Sequence, residues 1–204
     1  IFVSKTKVRG SSPRGPAMKK VIIVHGWEGK PTSNWFPWLK SELETRGVQT
    51  EVPAMPNSEL PRESEWLVHL RATIGEPEED TFLIGHSLGC VTILRYLESL
   101  PEGVRVGGAV FVAGFSERIG FPELNNFFSC PVDFRRARRA SLQQIVAIQS
   151  DNDKYVPAWH GEVFRDKLGA RLVTIPNGGH FNRSEGFTEF PQALLELLDL
   201  MDVE

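Results

Sequence analysis

Cysteine is scarce in this chain: two residues in 204, Cys90 and Cys130. Two such residues build no disulfide framework. Both are expected to be reduced, which suits a cytoplasmic location. Long apolar runs are also missing. No stretch approaches the roughly 18 residues of a spanning helix, so no transmembrane segment is expected. Neither charge dominates, with 23 Lys and Arg against 26 Asp and Glu and a net charge of −3. That balance lacks the basic excess of a nucleic-acid binder. There is no H-E-x-x-H, no C-x-x-C and no other metal-ligand spacing, so neither metal nor cofactor is expected. Gly29-Lys30 follows an apolar run, but a phosphate-binding loop would need Gly where Val24 stands and Ser or Thr where Pro31 stands. No repeat and no low-complexity linker is visible.

What is present reads as ordinary globular composition, 41% hydrophobic and 24% charged. At roughly 150 residues per domain the length predicts one domain, large enough to bury about 70% of its unfolded surface. Residues 1–17 carry Lys5, Lys7, Arg9 and Arg14 and no acid. Their only apolar run is Ile1-Phe2-Val3, too short for a secretory signal. Met18 directly precedes a strand pattern. Residues 1–17 are therefore read as an extension, a tag or an upstream-translated tail, before a domain at 18–204. Ile1, Val3 and Val8 give the extension enough β character for an added edge strand.

From Lys19 onward, strand and helix patterns alternate. Strands are expected at Val21–Val24, Val48–Val52, Thr81–Ile84, Gly107–Ala113, Ile145–Gln149 and Arg171–Ile175. Helices are expected at Trp35–Arg46, Trp66–Ile74, Cys90–Leu100, Arg135–Gln143, Trp159–Leu168 and Phe190–Met201. Such alternation implies right-handed crossovers: an α/β fold with six mainly parallel strands and helices on both faces. Residues 115–140 break the rhythm and read as a short cap-like connection. Its phenylalanines, Phe115 and Phe121 among them, either line a substrate pocket or pack the connection onto the core. Its Arg135, Arg136, Arg138 and Arg139 read as a solvated helix face.

The sharpest motif is Gly85-His86-Ser87-Leu88-Gly89, a G-x-S-x-G sequence between a strand and a helix. The tight turn forces its central residue into a strained conformation, and glycines at 85 and 89 avoid collision. It lifts the serine oxygen above the carboxyl ends of the strands, next to a helix N-terminus that favours negative charge. A serine nucleophile needs a base, and the base needs an orienting acid. Of five histidines, His86 adjoins the serine and its side chain diverges. His69 and His160 read as surface residues of helices. His25 precedes Gly26 and reads as a structural or pocket residue of the loop after the first strand. His180, in a Gly-Gly loop after the last strand, is the expected base. The acid should lie between serine and histidine. Ser150-Asp151-Asn152-Asp153 follows the fifth strand; Asp153 is the choice and Asp151 the alternative. The oxyanion donors are expected to be the backbone N–H groups of Leu88 and of Trp27, whose ring also suits a pocket wall.

These residues resemble the α/β-hydrolase superfamily and, more narrowly, the YdeN-like serine hydrolases, the family of the retinoblastoma-binding-protein-nine hydrolases. The segments that carry it are VIIVHGWEGKPTSNWFPWLKSELETRG (21–47), VPAMPNSELP (52–61), FLIGHSLGC (82–90), SDNDKYVPAW (150–159) and GGHFN (178–182). The resemblance implies Ser87 as nucleophile, Asp153 as acid and His180 as base. It also implies a minimal α/β-hydrolase fold without the two leading antiparallel strands of larger relatives. The expected reaction is cleavage of a small ester, amide or thioester through an acyl-enzyme. Two alternatives keep the scaffold: a protein-binding module with little or no turnover, and an acyltransferase. The expected partner is a small-molecule substrate, with no nucleic acid and no membrane.

Overall fold

Side chains that point alternately to opposite faces sort each strand into two layers. In β1 (Lys20–Val24), Ile22 and Val24 enter one core while Val21 and Ile23 enter the other. The same division holds in β3 (Thr81–His86), β4 (Gly108–Val112) and β5 (Val146–Ser150). These strands are apolar on both faces, the mark of a parallel sheet covered twice. The computed structural model, which describes residues 18–202, has six strands in the order β2-β1-β3-β4-β5-β6, every neighbouring pair parallel. The edges are β2 (Gln49–Glu51) and β6 (Arg171–Ile175). The edge strand expected from residues 1–17 lies outside the described residues. Among the described residues no helix is long and apolar enough to cross a membrane.

Two helices cover one face. From α1 (Phe36–Thr45) come Phe36, Leu39 and Leu43, and from α6 (Pro191–Met201) come Leu194, Leu197 and Met201. The other face takes Trp66 and Leu70 of α2 (Glu63–Ile74), most of α3 (Leu88–Ser99), Ala137 of α4 (Phe134–Arg139) and the chain around α5 (Trp159–Val163). Helix α3 is the central one, buried without a break from Leu88 to Leu97. Each large aliphatic side chain removed from water there stabilises the fold by roughly 1.5–3 kcal/mol.

This topology places the site. Strand β1 lies between β2 and β3. The chain leaving β1 reaches α1 on one face, and the chain leaving β3 reaches α3 on the other. Loops that part in this way leave a crevice at the carboxyl ends of the strands, where open α/β sheets bind ligands.

Two elements differ from expectation. The helix expected over 135–143 stops at Arg139. Beyond it, Leu142 and Gln143 donate backbone hydrogen bonds to Val106 and Gly107 (both 2.8 Å), so the chain runs beside the approach to β4. The helix expected over 159–168 is α-helical only to Val163, then widens into a π-helical turn that ends at Gly169. The connection after β4 contains a 3-10 stretch, Pro122–Phe128. It is tied down by buried Arg95, which donates to the Phe127 carbonyl from Nε (2.9 Å) and Nη2 (2.7 Å). Arg135, Arg136, Arg138 and Arg139 are solvent-exposed.

Candidate active site

The turn between β3 and α3 holds Ser87 at φ 54° and ψ −119°. A non-glycine residue there costs of order 1–3 kcal/mol and persists only where its surroundings impose it. The Ser87 N–H donates to Val112 O (2.9 Å) and the Cys90 N–H to Ser87 O (3.0 Å), which anchors the strained residue on both sides. The flanking glycines are sterically required. A Cβ on Gly85 would lie 2.6 Å from Cys90 N, and one on Gly89 would collide with the Val24 carbonyl oxygen.

Two loops at the far side of the sheet are stitched together residue by residue. Asp151 accepts from Asn177 N (2.7 Å), Asn152 from Gly179 N (2.7 Å), and Asp153 Oδ2 meets His180 Nδ1 at 2.7 Å. The Asp153 side chain is fully buried, and its other oxygen accepts from Tyr155 N (2.8 Å) and Val156 N (3.0 Å). Both carboxylate oxygens are therefore engaged. Asp151, in contrast, is exposed, and its carboxylate accepts only from the Asn177 backbone N–H. With Nδ1 donating to a carboxylate, Nε2 of neutral His180 is left as an acceptor.

His180 and Ser87 line one cavity of about 310 Å³. Among the described residues no hydrogen bond joins Ser87 Oγ to His180 Nε2. In resting sites such contacts are often long and tighten when substrate binds. Trp27, Phe121, Ile119 and Leu124 supply apolar wall, and Asn34, Asn182 and Glu28 supply polar wall. The Trp27 and Phe121 rings lie 5.4 Å apart, and Trp27 Nε1 is fixed by Glu59 O at 3.0 Å. Tyr155 stands edge-on to His180 at 5.1 Å. Among the described residues, the Trp27 and Leu88 backbone N–H groups have no acceptor in the protein.

Three expectations need correction. His25 does not line the cavity. It is buried, its Nε2 accepts from Met55 N (3.0 Å) and its Nδ1 donates to Gly26 O (2.8 Å), so it braces the loops behind the wall. Phe115 does not line it either. It follows β4 into the core and packs against Phe128 and His160. His160 is not a surface residue. The stripe His160, Gly161, Phe164 and Leu168 faces inward, and Trp159 stacks over the imidazole at 3.8 Å. Among the described residues neither buried ring nitrogen of His160 has a partner, and burial pushes its pKa down to about 4.

Two residues of this neighbourhood escape a reading of the sequence for catalytic groups. His86 Nε2 contacts His180 O at 2.7 Å, and Glu185 Oε2 accepts from His180 N at 2.8 Å. Burial pushes the pKa of His86 down to about 3, so its ring is neutral near pH 7 and donates to the carbonyl through Nε2–H. Glu185 had a legible signal, because Asn182-Arg183-Ser184-Glu185 is spaced as a capping box and forms one.

Comparison with known proteins places most of the chain among hydrolases. The model of a family described as serine hydrolase matches residues 21–199. The hydrolase YdeN of Bacillus subtilis is 36% identical over 174 residues, 85% of this chain and 91% of that protein. Serine hydrolase RBBP9 of Rattus norvegicus is 28% identical over 171 residues, 81% of this chain and 89% of that protein. The crystal structure of the B. subtilis ydeN gene product superposes with a TM-score of 0.85 at 34% identity, covering 91% of this chain and all of that one. The chain belongs to the serine hydrolase family, as an enzyme built on the α/β-hydrolase fold.

Proposed function

We propose that this enzyme cleaves a small ester, or a related amide or thioester, by a Ser87–His180–Asp153 triad through an acyl-enzyme. Ser87 Oγ attacks the carbonyl carbon while His180 Nε2 takes the hydroxyl proton. Asp153 holds the imidazole in the Nδ1–H tautomer and stabilises the imidazolium as it forms. The developing oxyanion is met by the N–H groups of Leu88, at the start of α3, and of Trp27. Removing one such donor typically costs about 3 kcal/mol. His180 then protonates the leaving group, and water repeats the sequence to release the acid. Cys90 and Cys130 form no disulfide, which supports a cytoplasmic location as part of the same proposal.

The observation that carries this reading is the Asp153–His180 couple at 2.7 Å opening onto the same cavity as a serine strained at φ 54°. A cavity of about 310 Å³ suits a small acyl group or leaving group. The test is hydrolysis of p-nitrophenyl acetate and butyrate by wild type and Ser87→Ala. The expected result is a loss in kcat of at least about a thousand-fold with the melting temperature retained. Turnover that survives the substitution contradicts the reading.

A further inference from the structure

His180 sits in a loop with little conformational slack. Asn177, Gly179 and Phe181 all have positive φ, at 56°, 57° and 55°. Such a segment keeps its shape only where its surroundings fix it. The Asp153 contact fixes the ring only at Nδ1, so the placement of Nε2 also depends on where the backbone of residue 180 is held. The side chain of His180 is only slightly exposed, and its backbone N–H and C=O are both taken by side chains rather than by regular structure. The carbonyl is held by His86 at 2.7 Å, from the end of the rigid strand β3. The N–H is held by Glu185 at 2.8 Å, through the carboxylate that also accepts from Asn182 N at 3.1 Å.

From this we infer that His86 and Glu185 are positioning residues that register the base against the nucleophile. His86 is covalently next to Ser87, so its hydrogen bond to His180 O ties residue 180 to the same rigid turn that carries the serine oxygen. Glu185 closes the clasp from the opposite side. The inference rests on the reading of Ser87 and His180 as nucleophile and base. Two observations support His86 in particular. Its ring is almost fully buried, held edge-on by Trp35 at 6.2 Å and packed near Phe36 at 6.0 Å, so it has one orientation. Its neutral state leaves the donor present without placing a second positive charge beside the imidazolium that His180 becomes. The groups facing His86 that carry or gain charge are His180, Asp153 and His25; burial is the largest influence, His180 and His25 reinforce it, and Asp153 opposes it. A misplacement of about 1 Å at a catalytic group can cost about a hundred-fold in rate.

The experiment compares His86→Leu, which removes the donor, with His86→Gln, whose amide restores one at similar reach. Glu185→Ala and Glu185→Gln form a second pair, in case His86→Leu fails to fold. Wild type and each variant are assayed for kcat and KM on p-nitrophenyl butyrate, and for the far-downfield proton resonance of the His180–Asp153 contact. The expected result is a fall in kcat of about a hundred-fold for His86→Leu and about ten-fold for Glu185→Ala. KM should stay within about two-fold, the downfield resonance should shift or broaden, and both glutamine variants should recover most of the rate. Folded His86→Leu with wild-type kcat, or glutamine variants no better than the apolar ones, overturns the inference. If His86→Leu does not fold, the Glu185 pair decides by the same criteria. Labelling of wild-type Ser87 by a fluorophosphonate, run beside these assays, separates a failure of the clasp from a failure of the triad itself.

Discussion

Protonating His160 should cost the enzyme stability in mild acid, and the effect can be worked from its surroundings. The ring is fully buried, both its nitrogens lack partners among the described residues, and its pKa falls from an ordinary value of 6.5 to about 4. A group whose folded pKa is depressed by burial of its neutral form binds protons more readily in the unfolded chain. Its stabilising effect is complete above pH 6.5 and is lost as pH falls towards 4. At about 1.4 kcal/mol per pH unit the full loss is of order 3 kcal/mol, of which about 2 kcal/mol is already gone at pH 5. His160→Phe keeps an aromatic ring beside Phe115 and Trp159 and removes the titration. It also removes two unsatisfied polar atoms, which should stabilise the fold by about 1 kcal/mol at pH 8. Urea unfolding at pH 8 and pH 5 measures both terms. The variant should be more stable by about 1 kcal/mol at pH 8 and by about 3 kcal/mol at pH 5. His86, whose pKa is also depressed, is common to both proteins and cancels. An advantage that stays constant or shrinks on acidification would refute the reasoning.

Three more outcomes follow from the site. Asp153→Asn should lower kcat by at least about a thousand-fold, whereas Asp151→Asn should cost less than about ten-fold, because only Asp153 reaches His180; steady-state kinetics with p-nitrophenyl acetate compare the two. Gly89→Ala should destabilise the protein by more than about 3 kcal/mol, since its Cβ overlaps backbone oxygens of β1 and of His25 that cannot move independently; thermal melting reads this directly. Phe121→Ala, which removes the ring tilted against Trp27 and opens the apolar wall, should raise kcat/KM for long acyl esters relative to acetate, as an ester chain-length panel will reveal.

The sheet was legible because β-branched runs such as Val21-Ile22-Ile23-Val24 have no other use in a chain of this composition, and because Gly and Pro stop the helices between them. The tight turn at Ser87 was legible from its glycines, and the loops that carry Asp151–Asp153 and His180 from their places after the fifth and sixth strands. Asp153 was chosen over Asp151 from its place deeper in one loop; the stitching of residues 151–153 to residues 177–180 separates the two geometrically, since Asp153 meets His180 and Asp151 accepts from Asn177 N. Phe115 and Phe121 look alike in sequence. They part because Phe115 is buried in the core just after β4, whereas Phe121 is half-buried at the cavity wall. His160 misled because a position that opens a helix was read as facing solvent, whereas the helix turns position 160 into the core. His86 was set aside because its ring diverges from the serine. What it grips is not the nucleophile but the backbone of residue 180, a contact 94 positions away that no local pattern announces.

The most direct measurement is covalent: wild type treated with a fluorophosphonate, digested, and mapped by mass spectrometry, with His180→Ala alongside. A single adduct on Ser87, formed at least about a hundred-fold more slowly without the imidazole, is the predicted result. An adduct on another residue, or equal labelling with and without His180, would contradict an activated serine at the heart of this fold.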